Sequence, residues 1–250
     1  MMIIRIGNGD AYADLSSFGG ILSNFVWEGS EIIYPERKVG EKQRGGIPIC
    51  FPFFGAPPKK FSEYNRHGWL RNQELNPIEF SKTRAGFGGR NEPTKSYPWL
   101  LKYEVWASIC GINGLTLKLR VKRVADGHAA GAPINPAFHP FFRSLGKHFA
   151  QIGKTKIGEF NDVAKSCSSH KLIYINTGKW WVRMELGGDF NAQSSVFTWS
   201  DDPEQYFCVE PVMAQRELFA NPKKGKFLYT GEQSEITCTI RPFAKSERKA

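Results

Sequence analysis

The stretch Leu115-Thr-Leu-Lys-Leu-Arg-Val-Lys122 alternates apolar and polar side chains at every step. A period of two suits only an extended chain. It places Leu115, Leu117, Leu119 and Val121 on one face and Thr116, Lys118, Arg120 and Lys122 on the other. Asn113-Gly114 precedes it, the dipeptide of tight hairpins, because both central positions of that turn need positive φ. The spacing predicts that residues 101–112 pair antiparallel with residues 115–124.

The same alternation returns in short runs at 3–6, 11–15, 21–27, 31–34, 171–176, 180–186, 196–199, 206–209, 227–230 and 235–241, separated by Gly, Asp and Pro. Helical periodicity is hard to find. Many short strands at regular spacing predict an all-β, antiparallel β-sandwich or barrel, and the lack of a fixed-length repeat speaks against a propeller. With 250 residues and no linker-like stretch, one domain spanning 1–250 is expected. The long interruption at 35–72, crowded with Pro, Gly and aromatics, is the segment in which function is expected.

Composition narrows the partners. A formal charge of +10 draws nucleic acid, anionic membranes and phosphorylated small molecules alike. No RRM, KH, helix-turn-helix or zinc-finger pattern is present, so nucleic acid ranks last. No apolar run approaches the roughly 20 residues of a membrane span, and the N-terminus lacks an apolar signal region. No membrane partner and a cytoplasmic location are expected. Cys50, Cys110, Cys167, Cys208 and Cys238 are odd in number and scattered, which argues against a disulfide or zinc framework. Most of them read as buried small hydrophobes, with Cys50, Cys208 and Cys238 inside apolar or alternating runs.

Four segments hold ionisable groups among apolar neighbours: Arg44-Gly-Gly-Ile-Pro-Ile-Cys-Phe-Pro-Phe-Phe-Gly55, Asn65-Arg-His-Gly-Trp-Leu-Arg71, Asn135-Pro-Ala-Phe-His-Pro-Phe-Phe-Arg143 and Phe207-Cys-Val-Glu-Pro211. Such surroundings move pKa values toward neutrality. Glu210 stands at the end of a strand that Pro211 is expected to terminate. It reads either as a general base or as one half of a rim ion pair. His67 and His139 read either as a proton-transfer set with Glu210 or as buried structural histidines. No His spacing supports a metal. Arg44-Gly45-Gly46 could cradle an anion, but it lacks the pattern of a nucleotide-binding loop.

In this order the four segments resemble the signature of the aldose 1-epimerase superfamily, in particular its hexose-6-phosphate mutarotase-like branch. The resemblance implies a galactose mutarotase-like supersandwich with its site on a concave face. It implies interconversion of the α and β anomers of a sugar by ring opening, with neither metal nor redox cofactor. By position, Glu210 would be the base and His139 the acid, with His67 at the sugar hydroxyls or ring oxygen. Arg44 and Arg71 would contact the phosphate, a task suited to a planar fork of donors. Phe54 and Trp69, with Phe51, Phe53 and Phe142, are candidates to pack on sugar faces. Asp162 stands near the family's middle acidic position in a poor match and is left out of the catalytic set. Gln215-Arg-Glu-Leu218 replaces the small, Pro-rich residues that usually follow the Glu-Pro.

The expected partner is a small sugar or sugar phosphate, taken by a monomer or weak dimer. The alternative is a non-catalytic carbohydrate-binding protein on the same fold. The basic excess is concentrated in 35–72 (eight basic, three acidic residues), 215–226 (four and one) and 241–250 (four and one). The first two are expected at the rim of one cleft and the third as a solvated tail.

Overall fold

The computed structural model describes residues 1–111, 114–168 and 170–244. Among these, two antiparallel sheets of ten and nine strands carry almost all the structure, with helix limited to short 3₁₀ turns. This is the all-β sandwich that the alternation predicts. No helix of the described residues is long and apolar enough to cross a membrane.

The nine-stranded sheet runs in the order Thr155–Ile157, Phe149–Ile152, Leu172–Asn176, Trp181–Gly188, Gln233–Phe243, Gly114–Arg123, Leu101–Cys110, Arg84–Arg90 and Asn76–Phe80. Leu101–Cys110 and Gly114–Arg123 pair as expected, with Leu115 facing Ile109 and Val121 facing Tyr103. Gly114 is already in the ladder opposite Cys110, and Asn113 lies outside the described residues. Leu115, Leu117, Leu119 and Val121 are buried against the second sheet, while the Lys and Arg between them stay wet. Each such apolar side chain contributes about 1.5–3 kcal/mol on burial. Arg241 of the third basic segment belongs to the strand Gln233–Phe243, and residues 245–250 lie outside the described residues.

The ten-stranded sheet begins with the meander Ile3–Asn8, Ala11–Ser16, Leu22–Trp27 and Ser30–Ile33. It continues through Phe141–Arg143 to Tyr206–Val212, then to Ala137–Phe138 and Ile49–Cys50. Ser195–Trp199 pairs with the opposite edge of Tyr206–Val212 and is followed by Lys165–Ser168. Tyr206–Val212 is buried along its whole length because both of its faces are covered. Phe207 and Val209 enter the main core between the sheets, whereas Cys208 and Val212 join small clusters on the other face.

Pro211 does not end this strand. The ladder continues to Val212, which faces Ala137 on one side and Ser195 on the other. By the same register Pro211 falls opposite Phe138 and faces Val196, so the strand keeps both neighbours although Pro211 offers no N–H to either.

Candidate functional site

The break between Ala137–Phe138 and Phe141–Arg143 holds His139. The register pairs Ala137 with Val212 and Phe141 with Cys208, so His139 lies opposite Glu210. On its other side His139 meets Pro48, whose carbonyl accepts its backbone N–H at 3.0 Å. Glu210 in turn faces Phe197. Phe197, Glu210, His139 and Pro48 therefore form one row across the sheet, and all four line a cleft of about 620 Å³. Nε2 of His139 and Oε1 of Glu210 are 3.5 Å apart.

Both groups are buried, Glu210 to 3% and His139 to 8% exposure. Loss of hydration raises the Glu210 carboxyl to about 8, with Arg66 pulling the other way. Burial, then the positive charge of Arg71, lowers His139 to about 3. The pair thus favours one shared proton over a wide pH range. Phe141 stacks on the His139 ring at 4.9 Å and 14° and holds its plane. Cys208 Sγ, one residue pair along the same face, lies within 4.8 Å of the ligand atoms of His139 and Glu210. Burial, and secondarily the charge of Glu210, raises that thiol well above its ordinary range, which keeps it protonated.

His67 arrives from the long irregular segment. Its own N–H donates to the Gly55 carbonyl (2.8 Å), and the Gly55 N–H donates to its Nδ1 (3.1 Å). His67 has φ 70° and Gly68 φ 77°, and a Cβ on Gly68 would lie 2.1 Å from the Phe51 carbonyl oxygen. Gly68 is thus required by a tight crossing of two loops, and His67 holds a strained positive φ beside it. The ring centroid of His67 is 5.4 Å from that of His139, and Phe54 packs on His67 at 5.1 Å. Burial, then His139 and the arginines Arg71, Arg66 and Arg216, lowers His67 to about 2, so it is neutral.

Arg44 and Arg71 both line the cleft. Arg44 is engaged by an acid: Nη2 donates to Asp201 Oδ2 at 2.5 Å and Nε lies 3.2 Å from both oxygens. Its guanidinium stands 5.3 Å from the Trp199 ring centre. Burial alone would raise Asp201, but hydrogen bonds from Arg44 and Tyr206 outweigh it and hold the carboxyl below its usual range. Arg44-Gly45-Gly46 does not cradle an anion. A Cβ on Gly45 would sit 2.2 Å from the Pro35 carbonyl oxygen, and the Gly46 N–H already donates to Tyr34. These glycines serve close backbone passage.

The aromatic candidates divide. Phe54 lines the cleft. Trp69 does not; its ring packs in a cluster with Phe51, Tyr64 and Tyr97. Phe51, Phe53 and Phe142 are in the main core, so none of the three offers a face to a ligand. Asp162 lines the cleft, and its carbonyl accepts the Trp199 indole N–H at 3.1 Å. The cleft is completed by Asp201, Trp199, Phe197, Arg66 and Arg216, which the sequence reading did not assign to a site. Alternation does place Phe197 and Trp199 on the same face of their strand. Asp201 had only the signal of a turn residue.

The ten- and nine-stranded arrangement has close counterparts among solved structures. A galactose mutarotase related enzyme from Lactobacillus acidophilus superposes with TM-score 0.78 at 16% identity, covering 98% of this chain and 99% of that one. The fold is galactose mutarotase-like. A galactose mutarotase-like protein from Lactobacillus casei gives TM-score 0.77 at 14% identity over 97% and 100% of the two chains. An aldose epimerase homologue from C. elegans gives 0.70 at 10% identity over 97% and 99%. No family model and no curated protein sequence matches the chain. In this galactose mutarotase-like sandwich the cleft opens on the face of the ten-stranded sheet that is turned away from the main core.

Proposed function

We propose that the chain is a mutarotase that interconverts the α and β anomers of an aldose, with hexose 6-phosphates as preferred substrates. The observation that carries this reading is the His139–Glu210 pair, buried side by side at the floor of a sugar-sized cleft. The anomeric hydroxyl and the ring oxygen are bonded to the same carbon. Two groups a hydrogen-bond length apart can therefore reach both.

In the forward step the pair's proton first passes from Glu210 to His139 across their 3.5 Å contact; Glu210, now carboxylate, takes the proton of the anomeric hydroxyl while His139, now imidazolium, protonates the ring oxygen. The bond from C1 to the ring oxygen breaks and a carbonyl forms at C1. The pair is left as carboxylic acid and neutral imidazole, the state that burial favours. Rotation about C1–C2 turns the other carbonyl face to the ring hydroxyl, and closure runs the proton transfers backwards. The exchange is redox-neutral, and the pair's single proton is conserved. His67, neutral and with Nδ1 engaged by Gly55, offers an Nε2–H to a sugar oxygen. The cationic rim favours an anionic sugar over a neutral one.

NMR exchange between anomers of glucose, galactose and glucose 6-phosphate tests the reading. Acceleration over buffer that disappears in Glu210→Gln is expected. Sugar binding with no acceleration by the wild-type chain would make it a binding protein instead.

A further inference from the structure

The arginines of the cleft are not equally available. Arg44 spends Nε and Nη2 on Asp201 and Nη1 on the Gln43 carbonyl. Among the described residues no carboxylate lies within 4.0 Å of Arg66, Arg71 or Arg216. All three line the cleft; Arg66 contacts His67 and also bears on Glu210, Arg216 lies against Gly55 beside His67, and Arg71 bears on both histidines.

Arg66 and Arg216 approach His67 through different contacts. Arg216 lies over Gly55, where an added Cβ would be 2.9 Å from its Nε and 3.2 Å from its Cζ, so glycine leaves the room it occupies. Two residues earlier the chain is anchored by Asn135, which donates to the Ala214 carbonyl (3.2 Å) and accepts the Ala214 N–H (2.8 Å). Arg66 Nε stands 3.2 Å from His67 Nε2. That contact is poorly matched. The Gly55 N–H occupies Nδ1, so in the neutral ring Nε2 carries the hydrogen and two N–H groups meet. Arg66 therefore has a donor aimed into the cleft for which the protein supplies no good acceptor.

We propose that Arg66 and Arg216 form a clamp for the anionic group of a charged sugar, phosphate or carboxylate, while Arg44 with Asp201 serves uncharged parts of the ligand. Two planar forks, one at His67 and one at the adjoining Gly55, suit a group with several acceptor oxygens. When Arg66 turns to that group, His67 Nε2–H is released for a sugar oxygen. The clamp rests on the mutarotase reading and deepens it.

The test compares anomer exchange of glucose 6-phosphate, glucuronate and glucose by wild type, Arg66→Gln, Arg216→Gln and the double variant. The expected result is a fall of at least tenfold, expressed through KM, in the ratio of kcat/KM for a charged sugar to that for glucose. The sugar whose ratio falls identifies the group. Lys118→Gln removes the same charge from the outer face of the nine-stranded sheet and should keep the ratio. A ratio maintained in both arginine variants, or an equal fall in Lys118→Gln, overturns the clamp. If wild type exchanges no sugar, the mutarotase reading fails and inorganic phosphate decides the clamp alone. Calorimetric binding at least tenfold weaker in the double variant supports it, and equal or undetectable binding by wild type overturns it.

Discussion

His139 and Glu210 occupy facing positions on neighbouring antiparallel chains, Nε2 to Oε1 3.5 Å apart, exactly where the chain carrying His139 leaves the ladder. The gap frees the histidine from strand pairing while the pairs on either side fix its register. Glu210 is thus held by a central strand, Tyr206–Val212, that is buried along its whole length, and His139 by the chain beside it.

Loss of either member should abolish exchange without abolishing the cleft. Glu210→Gln and His139→Asn are expected to lower kcat by about 10²–10⁴, the usual contribution of a positioned acid or base. KM should change far less. Saturation kinetics by polarimetry check this, and a KM effect without a kcat effect would assign the pair to binding.

The pH profile follows from the shared proton. With Glu210 at about 8 and His139 at about 3, the pair holds one proton across the intervening range. Activity is expected to be level from about pH 5 to 7 and to fall above about 8, when that proton is lost. Arg66 draws Glu210 downward, so Arg66→Gln should move the alkaline limb to higher pH. An activity that instead rises through pH 8 would mean that Glu210 works with an acid elsewhere.

Burial of Glu210 should be visible in stability. Its folded value lies above its unfolded one, so its contribution is complete below about 4.5 and is lost as pH rises toward 8. Glu210→Gln, which cannot ionise, is therefore expected to melt higher than wild type at pH 9. The gain should exceed about 2 °C, the effect of 1 kcal/mol in a domain of this size. At pH 4 the advantage should vanish, as thermal scans at the two pH values would show.

A second buried pair works in the opposite sense. Arg123, fully buried, bonds Asp126 at 2.8 Å and the Ala130 carbonyl at 2.5 Å. The Arg123 hydrogen bond, opposed by burial, brings Asp126 to about 2. Its stabilisation is complete above about 3.8 and is lost as pH falls toward 2. Asp126→Ala should cost about 3–5 kcal/mol at pH 7, because it leaves Arg123 buried without its carboxylate. Urea unfolding at pH 7 measures this, and a cost below about 1 kcal/mol would show that the Ala130, Leu228 and His128 carbonyls, which all accept from Arg123, suffice.

Much of this was legible along the chain. The alternation of Leu115 to Lys122 reports a strand because neighbouring side chains on a strand must point to opposite faces, one dry and one wet. The ordered segments around Arg44, His67, His139 and Glu210 do converge on one cleft, although 166 positions separate the first from the last. Trp69 was misread because local sequence does not say which way a ring turns; the tight crossing at Gly68 sends it into an aromatic cluster. Pro211 was misread as a strand end because the ladder bonds of its neighbours carry the pairing on to Val212 in spite of one missing donor.

The basic excess shows the boundary most clearly. Sequence alone determined that the charge is concentrated in 35–72 and 215–226, since that is a matter of composition along the chain. Which of those charges remains available was decided by the fold. Asp201, a turn residue far along the chain, comes to Arg44 and neutralises it, whereas Arg66, Arg71 and Arg216 reach the cleft without a carboxylate. Charge pairing depends on distance in space, and only the register of the sheet sets that distance.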